Sequence, residues 1–324
     1  MKYRKLGHTE SEISEIGFGA WGIGGKQWQG GEDEESLAAL KRAIELGVNF
    51  IDTALAYGDG HSERLVGAVV RTNFRRVYVA TKIAPKNRIW PATPDMRIED
   101  VFPYSYIVQC TDESLRNLGL EQIYLQQFHV WTDAWAHTDE WKRAIEDLRA
   151  SGKVRFFGVS VSEHQPDSAN EALKTDLFSA VQVIYNIFDP TAEQNLFPLC
   201  RERKIGVLAR VPLDEGGLTG TINQNTQFEP GEFRDHYFRG DRKRQVAEHV
   251  AALQRDLAEA GIHAPLPEIA LRFCLSHKVV TSVIPGMRRI ANVEKNCRAG
   301  MAGPLDSRTL AILKRHAWPR NFYQ

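Results

Sequence analysis

Residues 49–67 read NFIDTALAYGDGHSERLVG, and the fold follows from how this stretch is parsed. Phe50 and Ile51 form a short apolar run bounded by polar residues, which fits a buried strand rather than a helix. The glycines that follow signal a loop. From Ser62 onward the pattern turns helical, with the Ser62 hydroxyl placed to cap the first turn. One carboxylate, Asp52, and one phenol, Tyr57, therefore fall at the mouth of a strand, close enough in sequence to face one cavity.

Outward from this stretch the same strand, loop and helix cycle recurs. Apolar runs over residues 77–83, 123–129, 154–159, 180–184, 205–209 and 279–284 read as strands. Helical periodicity covers residues 32–46, 62–70, 105–118, 138–150, 166–174, 193–204, 243–261, 267–276, 290–298 and 307–315, and Gly47 suits the end of the first helix. Residues 3–6 and 16–19 are short strand-like runs, consistent with an N-terminal hairpin, or with a cap ahead of the first core strand. Continuous apolar strands alternating with helices imply parallel strands covered on both faces. About eight such units favour an α/β (β/α)8 TIM barrel over an open doubly wound sheet. No linker divides the chain, so residues 1–324 are expected to form one domain. The polar segments over residues 85–103 and 214–241 read as long loops at the C-terminal face.

The composition, 43% apolar and 25% charged, excludes a disordered chain and a lipid-embedded one. The 41 basic residues balance the 41 acidic ones, which argues against a nucleic-acid or anionic-membrane surface. No run of apolar residues is long enough to span a bilayer, and the N-terminus lacks the pattern of a cleaved leader. Cys110, Cys200, Cys274 and Cys297 are scattered, without a Cys-x-x-Cys pair or a Cys/His cluster. A cytoplasmic protein without a metal site is the expectation.

In barrels of this class the chemistry sits at the C-terminal ends of the strands. That rule selects Asp52, Lys82 and His129, with Tyr57 in the loop after the strand that carries Asp52. Reduction of a carbonyl by hydride needs a proton for the developing alkoxide. A phenol, with an ordinary pKa of about 10, holds that proton at neutral pH. A neighbouring ammonium, Lys82, stabilises the phenolate and eases the transfer. Asp52 would compensate the buried ammonium, and His129 would donate a hydrogen bond to the carbonyl oxygen. Each residue alone has an ordinary structural reading as a turn cap, packing, a solvated amine or a core histidine; the joint placement carries the assignment. No strand–GxGxxG–helix unit is present, and the glycines at 22–25 lack the lysine and hydroxyl of a P-loop.

These motifs resemble the aldo-keto reductases, in the branch that holds bacterial members and the potassium-channel β subunits. FIDTALAYGDGHSERLVG, VATKI, IYLQQFHVW, GKVRFFGVS, VQVIYN and VIPGMRR occur in that family's order across nearly the whole chain. The resemblance implies a catalytic tetrad of Tyr57, Asp52, Lys82 and His129 and an extended nicotinamide dinucleotide across the barrel mouth. It places Ser160 and Gln182 on the carboxamide, Pro212 and Leu213 in the pyrophosphate loop (ARVPLDEGGLTG), and Gly286, Arg288, Asn292 and Asn296 at the adenosine-phosphate end. Trp21, Asp52 and Arg210 complete the cofactor set. Arg288, assisted by Arg289, suits a 2′-phosphate, which favours NADP (NADPH) over NAD. The chain departs from the family pattern twice. Val161 stands where many members have Asn, and Arg210 where many carry an aromatic that stacks on the nicotinamide. A cation there disfavours the oxidised ring, so Arg210 is expected to face the cofactor phosphates or an acidic substrate group.

Trp21, Trp28, Trp90 and Trp131 lie near the expected strand-end loops, and aromatic walls suit a small aldehyde, ketone or sugar carbonyl. The loop over residues 85–103 is the expected specificity element. A cofactor-binding regulatory subunit of the same fold is the alternative, and the complete tetrad favours the enzyme. A metal-dependent barrel hydrolase finds no ligand set in the sequence.

Overall fold

The computed structural model describes every residue except 26 and 29–31. Among the described residues the chain forms ten strands: β1 (Tyr3–Lys5), β2 (Glu12–Ser14), β3 (Phe18–Gly19), β4 (Phe50–Asp52), β5 (Tyr78–Ile83), β6 (Ile123–Phe128), β7 (Val154–Ser160), β8 (Phe178–Ile184), β9 (Gly206–Arg210) and β10 (Val280–Val283). Strands β3 to β10 pair in parallel, in chain order. Parallel bridges Ile16↔Val283 and Gly19↔Gly286 join the first of them to the last and close the barrel. Helices follow the strands on the outside, as the alternation of apolar runs requires.

The N-terminal hairpin is real, but β1 pairs with β2, in the register Arg4↔Ile13, and not with residues 16–19. Those residues instead enter the barrel, where Phe18 is wholly buried. Leu6 and Ile13 pack with Phe50, Tyr78, Tyr124, Leu125 and Leu208, so the hairpin plugs the bottom of the barrel with its apolar face. Arg4 fixes it there, pairing with Glu15 at 2.6 Å and donating to the Val280 carbonyl at 2.6 Å.

Two helix expectations are corrected. Ser62 does not cap its helix. The chain turns through positive φ at Gly58, Asp59 and Gly60, which makes Gly60 the cap of helix His61–Val70. The Ser62 hydroxyl points inward instead, accepting from Thr53 and donating to the Ala20 carbonyl, each at 2.8 Å. The helical pattern over residues 166–174 shrinks to Asn170–Leu173. There the Asp133 carboxylate accepts from the Glu171 and Ala172 amides, so a distant loop begins that helix.

The period-two alternation of a strand decides what faces the barrel axis. On β5 it turns Tyr78, Ala80 and Lys82 one way; on β7, Gly158 and Ser160; on β8, Ala180 and Gln182; on β9, Leu208 and Arg210. Small or apolar residues fill the lower layers, and polar ones fall at the C-terminal ends. A side chain at Gly158 would meet the Ala180 carbonyl at 2.7 Å and crowd Gln127. Glycine there leaves Gln127 room to reach the axis.

Outside β6 and β8, Phe128, Trp131, Trp141 and Phe178 pack together, with Trp141 and Phe178 stacked at 5.4 Å. Trp131 is completely buried in this cluster and forms no part of the barrel mouth, contrary to its expected place in a substrate wall. Burying a side chain of this kind contributes roughly 2–3 kcal/mol, which holds the helical layer to the strands carrying the polar top. No helix among the described residues is long and apolar enough to cross a membrane.

Candidate active site

Asp52 ends β4 and Lys82 stands next to last on β5. The parallel register sets Asp52 opposite Ala80, with Lys82 one inward-facing step further up its strand. Lys82 Nζ donates to Asp52 Oδ1 at 2.6 Å, to the Thr53 carbonyl at 2.8 Å and to Tyr57 Oη at 3.2 Å. All three ammonium donors are thus satisfied, although Lys82 has no solvent exposure. Asp52 Oδ2 accepts from Gln127 at 3.1 Å and from Gln182 at 2.8 Å. Burial is the largest influence and opposes the Lys82 charge, but Asp52 and Tyr57 together outweigh it and hold the ammonium above its ordinary pKa.

Tyr57 comes from the loop after β4. That loop is pinned by Tyr57 N to Ala54 O at 3.0 Å and Gly60 N to Leu55 O at 2.7 Å. A side chain at Gly58, where φ is +66°, would collide with the Gly24 carbonyl at 1.9 Å, so the turn that presents Tyr57 demands glycine. Burial pushes the Tyr57 phenol above its ordinary value, and the nearby Lys82 charge offsets this only in part. The expected stabilisation of the phenolate by Lys82 is present, but burial wins, and the phenol keeps its proton through neutral pH.

His129 follows β6, its amide bonded to the Ile83 carbonyl at 3.0 Å. Its ring lies 5.8 Å from that of Tyr57 and 5.8 Å from that of Trp90, both edge to face. Burial first, then the Lys82 and Arg210 charges, push its pKa well below the usual imidazole value, so the ring is neutral. Its Nδ1 is buried with no hydrogen-bond partner among the described residues.

These groups open into a cleft of about 1080 Å³. Its walls include Trp21, Asp52, Tyr57, His129, Ser160, Gln182, Arg210, Pro212, Leu213, Gly286, Arg288 and Asn292, so the geometry brings together most of the residues singled out in the sequence. Lys82 lies beneath Tyr57 rather than on the wall. Asn296 is the exception among the cofactor set: it is buried on helix Ile290–Ala302 and outside the cleft lining, while Asn292, one turn earlier, is exposed on it. Trp28 and Trp90 also line the cleft, and Trp21 stacks near Tyr57 with ring centroids 6.2 Å apart.

At the far end Arg288 is half-buried. Burial, then the neighbouring Arg234 and Arg289 charges, lower its pKa. Arg234, ion-paired with Glu232, and Arg289, 3.6 Å from Glu35, lie near Arg288 beside the start of helix Ile290–Ala302. Cations crowded at a helix N-terminus form a site for a polyanion. The loop after β9 is tightly wound, with positive φ at Val211, Asp214, Glu215 and Gly216. Arg320 holds Asp214 in a buried ion pair at 2.5 Å, and Tyr323 Oη donates to Glu215 Oε1 at 2.6 Å.

Arg210 does not extend toward the Arg288 end. Its Nη2 reaches the Val161 carbonyl at 3.3 Å and Glu163 Oε1 at 3.6 Å, which keeps the guanidinium over the ends of β7 and β8. Val161 itself is buried in the core behind the cleft. Gln127, Glu163, Arg234, Glu215 and Tyr323 were not visible as site residues in the sequence. Gln127 had a signal, since it lies two residues before His129 on a strand and so shares its face. The others join through loops whose paths periodicity does not give.

The chain has counterparts among known proteins. Residues 15–317 match the model of the aldo/keto reductase family. The chain belongs to that family. The aldo-keto reductase YhdN of Bacillus subtilis is 30% identical over 302 residues, covering 91% of this chain and 87% of that protein. An NADH-specific methylglyoxal reductase of Escherichia coli is 28% identical, over 92% of this aldo/keto reductase and 93% of its own length. Among solved structures, the glycerol dehydrogenase AKR11B4 from Gluconobacter oxydans superposes with a TM-score of 0.78 at 27% identity, covering 98% of this chain and 97% of that one. Members of the family are oxidoreductases that use nicotinamide cofactors on small carbonyl compounds. Among the described residues no group of three or more His, Cys, Asp or Glu is placed to hold a metal ion.

Proposed function

We propose that this protein is an NADP(H)-dependent aldo-keto reductase that reversibly reduces a small aldehyde, ketone or sugar carbonyl, with Tyr57 as general acid and base. The observation that carries this reading is the buried Asp52–Lys82–Tyr57 chain at the floor of a cleft that also presents a neutral His129. The cofactor fits the residues present. Arg288, Arg234 and Arg289 offer charge for a 2′-phosphate, Pro212 and Leu213 lie on the loop along the cleft, and Ser160 and Gln182 lie at the catalytic end. Charge-assisted bonds from arginine forks favour NADP over NAD.

When bound, the nicotinamide supplies a hydride to the carbonyl carbon. Tyr57 gives its phenolic proton to the oxygen that becomes the alkoxide. Lys82 stabilises the phenolate left behind, and solvent returns the proton. In oxidation the same phenolate takes the proton from the alcohol. His129, in the tautomer with hydrogen on Nε2, donates to the carbonyl oxygen and fixes its direction. Trp21, Trp28 and Trp90 shield the reacting centre from water and favour a substrate with an apolar body. Residues 1–324 act as one domain. The four cysteines are unpaired and buried, which suits a reducing cytoplasm.

The test follows the absorbance of NADPH, and separately NADH, against a panel of reactive aldehydes and ketones. Wild type should turn over with NADPH in preference to NADH. Tyr57→Phe should lose about 10² to 10⁴-fold in kcat while its NADPH dissociation constant stays within about twofold. Tight NADPH binding by a wild type that reduces nothing would point to a cofactor-binding regulatory subunit instead. Preference for NADH would reverse the assignment of the arginine cluster.

A further inference from the structure

Arg210 is a charged side chain at the catalytic end of the cleft that the chemistry above leaves without a task. It caps β9, lines the cleft with Tyr57, His129, Ser160 and Gln182, and reaches across the end of β8 to the backbone of Val161, the residue after Ser160. Its Nε is buried without a hydrogen-bond partner. Its only carboxylate ion-pair partner among the described residues, Glu163, stands off at 3.6 Å, longer than a direct charge-assisted bond. Burial opposes the guanidinium charge, and Glu163 first, then Tyr323 and Glu215, outweigh it, so Arg210 is a held positive charge without a direct carboxylate bond.

The carbonyl that accepts a proton from Tyr57 must receive hydride on its carbon. A nicotinamide ring in this cleft must then lie beside Tyr57, within the space bounded by Ser160, Gln182 and Arg210. The two forms of the cofactor carry the same phosphates and differ at that ring, which is neutral when reduced and cationic when oxidised. A fixed cation beside the ring repels one form and spares the other. The reach of this charge is evident in its neighbours, since it depresses the His129 pKa and favours the Tyr57 phenolate.

Resting on the cofactor reading above, we infer that Arg210 makes the site discriminate between the redox states of its cofactor, holding the reduced form tightly and expelling the oxidised form, with Glu163 setting how strongly. The effect loads the site with the reduced form and speeds loss of the spent cofactor after each turnover, while making the bound couple a weaker hydride donor than the free one. A role for Arg210 on the phosphates or on an acidic substrate predicts something different, because neither separates the two forms by ring charge.

The test is equilibrium binding of NADPH and NADP⁺ by calorimetry, at fixed pH and salt, without substrate. The proteins are wild type, Arg210→Met, Arg210→Lys and Glu163→Gln, each first shown by circular dichroism and thermal melting to be folded. Wild type should bind NADPH more tightly than NADP⁺. Arg210→Met should shrink that ratio about tenfold, through tighter NADP⁺ binding, the order expected for one partly compensated charge at contact range. A tenfold change shifts the midpoint potential of the bound couple by about 30 mV. Arg210→Lys should keep the ratio and Glu163→Gln should widen it. A ratio within twofold of wild type in Arg210→Met, or equal weakening of both forms, overturns the inference while leaving the reductase reading intact. A wild type that binds neither form overturns both.

Discussion

The Lys82 ammonium lies 2.6 Å from the Asp52 carboxylate, and both are sealed from solvent. A buried ion pair is a weak contributor to stability when complete, yet breaking it is costly because one charge stays behind unpaired. Lys82→Met should therefore destabilise the protein by about 3–5 kcal/mol in denaturant titration, besides removing turnover. Asp52→Asn added to Lys82→Met should recover a good part of that loss, since no lone carboxylate then remains. A double variant no more stable than the single one would mean that Gln127 and Gln182 already satisfy Asp52.

His129 gives a prediction about pH. Its folded pKa lies well below the ordinary 6.5, with burial as the leading cause. The unfolded chain thus binds a proton below about pH 6.5 that the native protein does not. Stability from this group is present above that pH and is lost as the pH falls below it, by up to about 1.4 kcal/mol per pH unit. His129→Gln should flatten the stability profile between pH 6.5 and 5, as measured by urea melts. Turnover of the wild type should show no imidazole inflection between about pH 6 and 8.

Glu215 has the opposite sign. Burial raises its carboxyl to about 7, partly countered by the Tyr323 hydroxyl. From its ordinary 4.5 up to about 7 the folded protein holds a proton that the unfolded chain has released, so stability falls as the pH rises through that window. Glu215→Gln should remove this slope and exceed wild type at pH 8 by on the order of 1–2 kcal/mol, less than the full shift implies because the side chain is only half-buried. Tyr323→Phe removes a donor to the carboxylate and should carry the slope to higher pH.

Arg288→Ala should weaken NADPH binding by about 10- to 100-fold, the size of one lost charge-assisted contact to a buried anion, and leave NADH binding within about twofold. The wild-type NADPH affinity should fall with added salt more steeply than that of the variant. Equal losses for the two cofactors would assign Arg288 to the pyrophosphate shared by both.

The barrel was legible because its signal is local. Each of β5, β6 and β8 is a mostly apolar run with Lys82, Gln127 or Gln182 toward its end, and strand periodicity alone turns those residues to the axis. The hairpin was misplaced because β2, Glu12–Ser14, is short and polar; its one deeply apolar residue, Ile13, gains meaning only when the barrel bottom it plugs is known. Ser62 looked like a cap because a hydroxyl before a helical run usually is one. Thr53 and Ala20, distant in sequence, compete for it and win. Asn296 sits one helical turn from Asn292, and that spacing does not tell the cleft side from the core side. Tyr323 reaches the cleft from the far end of the chain by way of a loop, and nothing in its neighbours announces Glu215.

Asp52 takes hydrogen bonds from β5, β6 and β8 while itself ending β4. One carboxylate therefore ties half of the barrel staves at their upper rim. The proposed proton-transfer apparatus and the upper rim of these four strands are one object, so the one is expected to loosen only with the other. Heat or denaturant should abolish turnover and unfold the barrel in a single transition. Tolerance for change then lies with the segment over residues 84–103, which is expected to accept rebuilding around a new guest without disturbing the Asp52 network.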